Sequence, residues 1–131
     1  MIKIILPTFV ELPRKTKKDK KWIINLNNYR NTHYQTLNNV KVKFAEDIKN
    51  QLNQIPPIKK PVKAVYTIFV PSERRMDLSN IIPVVRKFAE DAIVSAGILP
   101  DDNYTVIVEN IDKFGGVDAK NPRVELVLHW D

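Results

Sequence analysis

Nine consecutive residues, Val62 to Val70, are dominated by Val, Ile, Tyr, Phe and Thr and run directly into Pro71. β-Branched and aromatic side chains suit a pleated surface, and a proline, lacking an N–H, ends the ladder. The run reads as a central strand, so the flanking segments must supply the layers that cover it. Before it, Leu37, Val40, Phe44, Ile48 and Leu52 recur at three- and four-residue spacing, which predicts an amphipathic helix over about 37–52 with Thr36 as its cap. After it, a second helix is expected to begin between Leu78 and Ile82 and to end near Ala96, stopped by Gly97. Pro83 favours Asn80 as the cap, because proline then falls in the first turn, where its missing N–H costs little.

The remaining segments are shorter. Ile2 to Leu6 reads as a strand stopped by Pro7, and Trp22 to Leu26 and Tyr104 to Ile111 as two more. Val124, Leu126, Leu128 and Trp130 alternate with Arg123, Glu125, Val127 and His129, the pattern of a half-buried strand. Pro13 to Lys21 is a charged loop, and Asn27 to Gln35 is polar and turn-rich. Gly115-Gly116 and Asn121-Pro122 suggest a long hairpin connection between the last two strands. The expected fold class is α+β, one domain over residues 1–131, with a small mixed or mainly antiparallel sheet and two principal helices.

Composition narrows the chemistry. With no cysteine, disulfides, zinc–thiolate sites and thiol nucleophiles are excluded. His33 and His129 are too far apart in sequence to suggest a histidine metal site, and no Gly-rich phosphate loop or nucleophile-elbow serine is present. The N-terminal apolar run is too short for a signal peptide and nothing approaches a membrane span, so a cytoplasmic location is expected. A net charge of +6, from 21 Lys plus Arg against 15 Asp plus Glu, favours a polyanionic partner, nucleic acid first. Arg14, Lys15, Lys17, Lys18, Lys20 and Lys21 form one dense run. Its lysines would neutralise phosphates while Trp22, Tyr29 and Tyr34 stack on unpaired bases; the alternative is a solvated loop with Trp22 anchored in the core.

Within this basic chain one segment gathers acids. Asp77 and Asn80 stand at the start of the second helix, just after Arg74-Arg75; Lys87 and Asp91 lie along it; Asp101-Asp102-Asn103 follow the turn at its end. On an ideal helix Asn80, Lys87 and Asp91 fall within roughly 40° of one another. Carboxylates from two segments would suit Mg²⁺, which takes a few hard oxygens and completes its octahedron with water. Arg74 and Arg75 would contact phosphate, and Lys87 would stabilise charge developing on it. The alternatives are a helix cap at Asp77, an ordinary turn at Asp101–Asn103, and an exposed Lys87–Asp91 ion pair.

The string R-R-M-D-L-S-N, followed by K-F-A-E-D-A-I and A-G-I-L-P-D-D-N, resembles the RusA family of Holliday-junction resolvases, small endonucleases often carried by phages and prophages. The specific likeness is confined to Arg74 through Asn103; a looser one extends over most of the chain. By position, Asp77 matches the first aspartate and Asn80 the asparagine of the family's D-L-D-N, Lys87 and Asp91 its helix lysine and aspartate, and Asp101-Asp102 its D-D pair, the second being catalytic. The resemblance implies a Mg²⁺-dependent cut of four-way DNA junctions, with Mn²⁺ as an alternative metal, by a twofold homodimer. Asp77 and Asp102 would hold the metal, Asp91 and Asp101 would support them, and Asn80 would join Arg74, Arg75, Lys15, Lys17, Lys18, Lys20 and Lys21 on DNA. Two departures stand out: Ser79 replaces the family's second aspartate, and about four extra residues separate Asn80 from Lys87. They leave open a non-catalytic, structure-selective DNA-binding protein, and, without metal, a basic interaction module with a solvated acidic cluster.

Overall fold

The β-prone run Val62–Val70 does become the strand on which the sheet is built. In the computed structural model, which describes residues 1–131, the elements in chain order are β1 (Ile2–Leu6), β2 (Phe9–Leu12), β3 (Lys20–Ile23), α1 (Leu26–Asn31), α2 (Tyr34–Leu52), β4 (Val62–Val70), α3 (Leu78–Ser95), β5 (Ile107–Val117) and β6 (Arg123–His129). The main sheet is ordered β1-β6-β4-β5, and β2 and β3 form a separate antiparallel pair. β4 is antiparallel to β6 on one side and parallel to β5 on the other. The fold is α+β with a mixed sheet, as composition and pattern predict.

Alternation places Val62, Ala64, Tyr66, Ile68 and Val70 on one buried face of β4. β6 adds Val124, Leu126 and Leu128 to that face, and β1 adds Ile4 and Leu6. The helices cover it with apolar stripes: Val40, Phe44, Ile48 and Leu52 from α2, and Ile82, Val85, Phe88, Ala89 and Ile93 from α3. Phe88 is the junction of the helical layer. Its ring lies 5.6 Å from that of Phe44, 6.1 Å from Tyr29 and 6.2 Å from Trp22. No helix is long and apolar enough to cross a membrane.

Several boundaries differ from the sequence reading, each for a local reason. The polar segment after Trp22 contains a helix, because the Asn25 side chain accepts the Asn28 N–H at 2.7 Å and caps α1. α2 starts at Tyr34 with His33 as its cap, its Nδ1 accepting from Gln35, three residues earlier than Thr36 implied. α3 starts at Leu78 with Asp77 as its cap, so Pro83 lies inside the helix rather than in its first turn. Proline there forfeits one hydrogen bond and costs about 3 kcal/mol; burial of Ile82, Val84, Val85 and Phe88 around it offsets that. β2 was not expected, although Val10 and Leu12 alternate inward between Pro7 and Pro13.

The end of the chain differs most. Residues 103–106 form a turn, and β5 runs on to Val117 with Gly115 and Gly116 inside it rather than in a hairpin. β5 and β6 are not neighbours; their connection passes the end of β4. Gly115 is the extra residue of a bulge opposite Ile68–Phe69. A Cβ at this position would stand 2.7 Å from the Phe69 ring, so the close approach explains the glycine. Gly97, at φ +78°, supplies the left-handed residue that ends α3.

Phe88→Ala should destabilise the protein by roughly 3–5 kcal/mol, because it empties the contact of α3 with α1, α2 and β3. Urea denaturation checks this; a loss below about 1.5 kcal/mol would show that Trp22 and Phe44 collapse into the space.

Candidate functional site

The seven residues Pro71–Asp77 leave the C-terminal end of β4 as a largely exposed loop. They and the first turn of α3 border an open cleft of about 1110 Å³, whose lining includes Arg74, Arg75, Asp77, Ser79 and Asn80, with Asn25 and Phe114 across from them. Arg74 and Arg75 form no salt bridge, so two guanidinium forks are free for an oxyanion. Asp77 occupies the cap position without making a side-chain cap hydrogen bond. Its carboxylate is not consumed by the helix end, as the cap alternative would require. The first turn closes instead through the Asn80 N–H to the Asp77 carbonyl at 3.0 Å.

The other expected site residues lie elsewhere. Parallel pairing sets Val62 opposite Ile107 and Val70 opposite Val117. Asp77 follows the C-terminal end of β4, whereas Asp101 and Asp102 precede the N-terminal end of β5, so they begin from opposite ends of the sheet. Asp102 is close enough to Glu90 to raise its carboxyl. Glu90 in turn lies thirteen residues, roughly 20 Å, along the helix from Asp77. Asp91 faces a separate groove of about 480 Å³ between α2 and α3, with Lys41 and Lys49 in its lining. Lys87 is exposed and forms no salt bridge with Asp91. Helical phase had placed Asn80, Lys87 and Asp91 on one face, but phase fixes an angle and says nothing of height along the axis.

Asp101 stitches its own turn. Its Oδ1 accepts the Asp102 N–H at 2.7 Å and its Oδ2 accepts from the Asn103 amide at 2.8 Å. These bonds hold its carboxyl below the usual carboxylate range. The Asn103 Oδ1 accepts the Thr105 N–H at 2.9 Å, completing a self-satisfied turn.

The basic run has a definite form. Pro13–Asp19 is the loop of the β2–β3 hairpin, and Arg14, Lys15, Lys17, Lys18, Lys20 and Lys21 are all exposed and free of salt bridges. Lys21 lies 4.1 Å over the Phe9 ring, and the Arg14 Nε donates to the Lys18 carbonyl at 2.8 Å. The aromatics expected to stack on bases divide differently. Trp22 is buried, with Nε1 donating to Thr32 at 3.1 Å, and Tyr29 packs on Phe88; only Tyr34 is exposed. Exposed lysines and a core tryptophan are what the solvated-loop alternative expects.

Sequence reasoning missed a polar cluster on the flank of α3. Arg86 pairs with Asp112 of β5, lies 4.9 Å from the Tyr66 ring, and keeps a buried Nε without a partner. One turn on, Glu90 is half-buried. Burial first, and the Asp102 carboxylate second, push it up to about 7 against the partial relief of Arg86. Burial likewise pushes the Tyr66 hydroxyl far above its ordinary range. The available signal was the four-residue spacing of Arg86 and Glu90, which places them on one helical face.

The donor set decides what metal chemistry is open to this chain. No three acidic or histidine side chains stand close enough together to enclose an ion. The joint set of Asp77, Asp91 and Asp102 therefore does not fit as one site within a chain. The cleft lining itself supplies a smaller set of oxygens: the Asp77 carboxylate, the Ser79 hydroxyl and the Asn80 amide. All are hard oxygens, and Mg²⁺ requires only one or two carboxylates when phosphate and water complete its shell.

The raised Glu90 carboxyl has a measurable consequence. Between its ordinary value of 4.5 and about 7 the folded state holds a proton that the unfolded chain has released, so stability falls as pH rises through that window. With the side chain only half-buried, solvent screening limits the effect to about 1 kcal/mol. Glu90→Gln should gain stability over wild type between about pH 5 and pH 8, read from urea midpoints, and an unchanged difference would remove the shift. No protein-family model matches the chain, and no curated protein matches it in sequence.

Proposed function

We propose that this chain is a Mg²⁺-dependent endodeoxyribonuclease that binds and cuts branched DNA, with the four-way junction as its substrate. The observation that carries the reading is the cleft in which two unpaired arginines stand with the unpaired Asp77 and Asn80. A nuclease site needs positive charge to seat a phosphodiester and a hard oxygen to seat the metal, and few other functions need both in one cleft.

In this reading Arg74 and Arg75 bind phosphate through paired N–H donors and fix the register of the strand. Asp77 and Asn80 would hold Mg²⁺ together with the bound phosphate. When bound, the metal supplies an activated water and neutralises charge on the phosphodiester. Lys15, Lys17, Lys18, Lys20 and Lys21 extend the contact along a second DNA arm, an electrostatic grip that weakens with salt. Asp102 and Lys87 belong to the same reading as further catalytic residues. Their distance from Asp77 within one chain supports a second reading, a protein that recognises junctions without cutting them.

The test is cleavage of a labelled four-way junction beside a matched linear duplex, with Mg²⁺, with Mn²⁺ and with chelator. Paired, metal-dependent nicks that fall roughly a hundredfold or more in Asp77→Asn support the proposal. Tight binding without cutting selects the second reading, and absence of both overturns the DNA reading altogether. Independently, Arg75→Ala should weaken binding to all sequences alike and reduce the slope of log affinity against log salt by about 1. An unchanged slope would place the phosphate outside the cleft.

A further inference from the structure

Three aromatic rings are strongly exposed, those of Tyr34, Tyr104 and Phe114. The tyrosines carry hydroxyls suited to water, whereas Phe114, 57% exposed, has no polar atom in its side chain. Phe114 also lines the cleft of Arg74 and Arg75, which neither tyrosine does. Its place there is built. Phe114 pairs with Ile68 and therefore stands on the helix-facing side of β5. Gly115, next in the chain, is the extra residue of the bulge, which bends the strand beside Phe114. Gly116 follows at φ +120°, a conformation that glycine adopts at no steric cost. Two glycines weaken a strand interior, so the bend is kept at the expense of strand stability. The Asp118 N–H then donates to the Val70 carbonyl at 2.8 Å, which ties the end of β5 to the residue from which the arginine loop departs. The ring and the guanidinium forks are thus carried by two strand ends bonded to each other.

We infer that Phe114 stacks on an unpaired base of the DNA strand whose phosphate Arg74 and Arg75 hold, so that the cleft recognises a strand where it parts from its duplex. This rests on the DNA-binding part of the reading above and not on cleavage. A nucleotide joins an anion to a flat, largely apolar ring, and the cleft offers a surface to each. The guanidinium forks meet the phosphate. Phe114 meets the base, and Leu26 and Met76 extend the apolar wall. At about 1110 Å³ the cleft is far larger than a single phosphate requires. Inside a duplex both faces of a base are covered by its neighbours, and the Phe114 ring has nothing to stack on. A base released from pairing presents a free face, and stacking on an aromatic ring stabilises it whichever base it is. Phosphate contacts grip paired and unpaired strands alike, so the ring is the group that tells them apart. Trp22 and Tyr29, two of the rings that the sequence offered for this task, are held against the core, which leaves it to a residue on another element.

The experiment is a cycle between protein and DNA, read by fluorescence anisotropy in chelator so that nothing is cut. The probe is a splayed-arm DNA, a duplex that opens into two single strands, with an abasic residue walked through the first few unpaired positions of each arm. At one position the missing base should weaken wild-type binding roughly five- to a hundredfold. Phe114→Ala should weaken binding to the intact probe by the same factor, and the abasic residue should then cost this variant nothing more. Phe114→Trp should keep the preference, and Phe114→Leu, apolar but without a ring, should lose it. Urea midpoints establish that each variant folds. Losses that simply add, or a Phe114→Leu variant that binds as wild type does, overturn the stacking. So does a wild type indifferent to every abasic position; if Arg75→Ala still weakens its binding, the DNA reading stands without the stack. A protein that binds none of these DNAs overturns both.

Discussion

Parallel pairing of β4 with β5 is the constraint on which the rest of the molecule depends. Two parallel neighbours cannot be joined by a tight turn, so the chain must travel back across the sheet, and α3 is that return path. The return buries Ile82, Val85, Phe88 and Ala89 on the inner face of β4 and thereby fixes the helical layer around Phe88. It also sends the residues that follow β4 and those that precede β5 to opposite ends. The cleft beneath Arg74 and Arg75 and the turn at Asp101–Thr105 are separated by topology and not by chance.

Charge follows the same division. Acids that stabilise the fold are engaged: Asp118 and Glu125 both hold Arg123 at 2.8 Å, Glu125 also holds Lys3 at 2.8 Å, and Asp112 holds Arg86. The cations of the β2–β3 hairpin and of the loop after β4 are not engaged. A chain of net charge +6 thus carries cations without salt-bridge partners on two exposed loops. Glu90 is the exception, a carboxyl pressed between a helix, a neighbouring aspartate and an arginine that only partly compensates it.

The elements that bury a full stripe were legible in the sequence, and those fixed by capping or by partners were not. β4, β6 and the body of α2 stand where alternation and three–four spacing put them, because each pattern is rewarded by burial against the same core. α1 escaped notice because its cap is an asparagine among asparagines, residues equally at home in turns. The start of α3 was misjudged because tertiary burial overrode the local cost of Pro83. Gly115 and Gly116 resembled a hairpin turn, yet the space beneath Phe69 required glycine within the strand. For the candidate site, the arginines, Asp77 and Asn80 could be found as a contiguous string. Whether Asp102 joined them could not, since that depends on whether β5 runs parallel or antiparallel to β4.

The pairing of β1 with β6 matches residues 2–6 with residues 124–128. β1 therefore gains its sheet partner only once β6, far along the chain, has been made. Closing so long a loop carries an entropic cost before any contact repays it. The β2–β3 hairpin and the α2–α3 contacts are local enough to form earlier, but the sheet is completed only when β6 is available to both β4 and β1. Until β1 docks, β6 presents an open edge to any other extended chain, and the five residues of β1 act as its built-in chaperone by closing it.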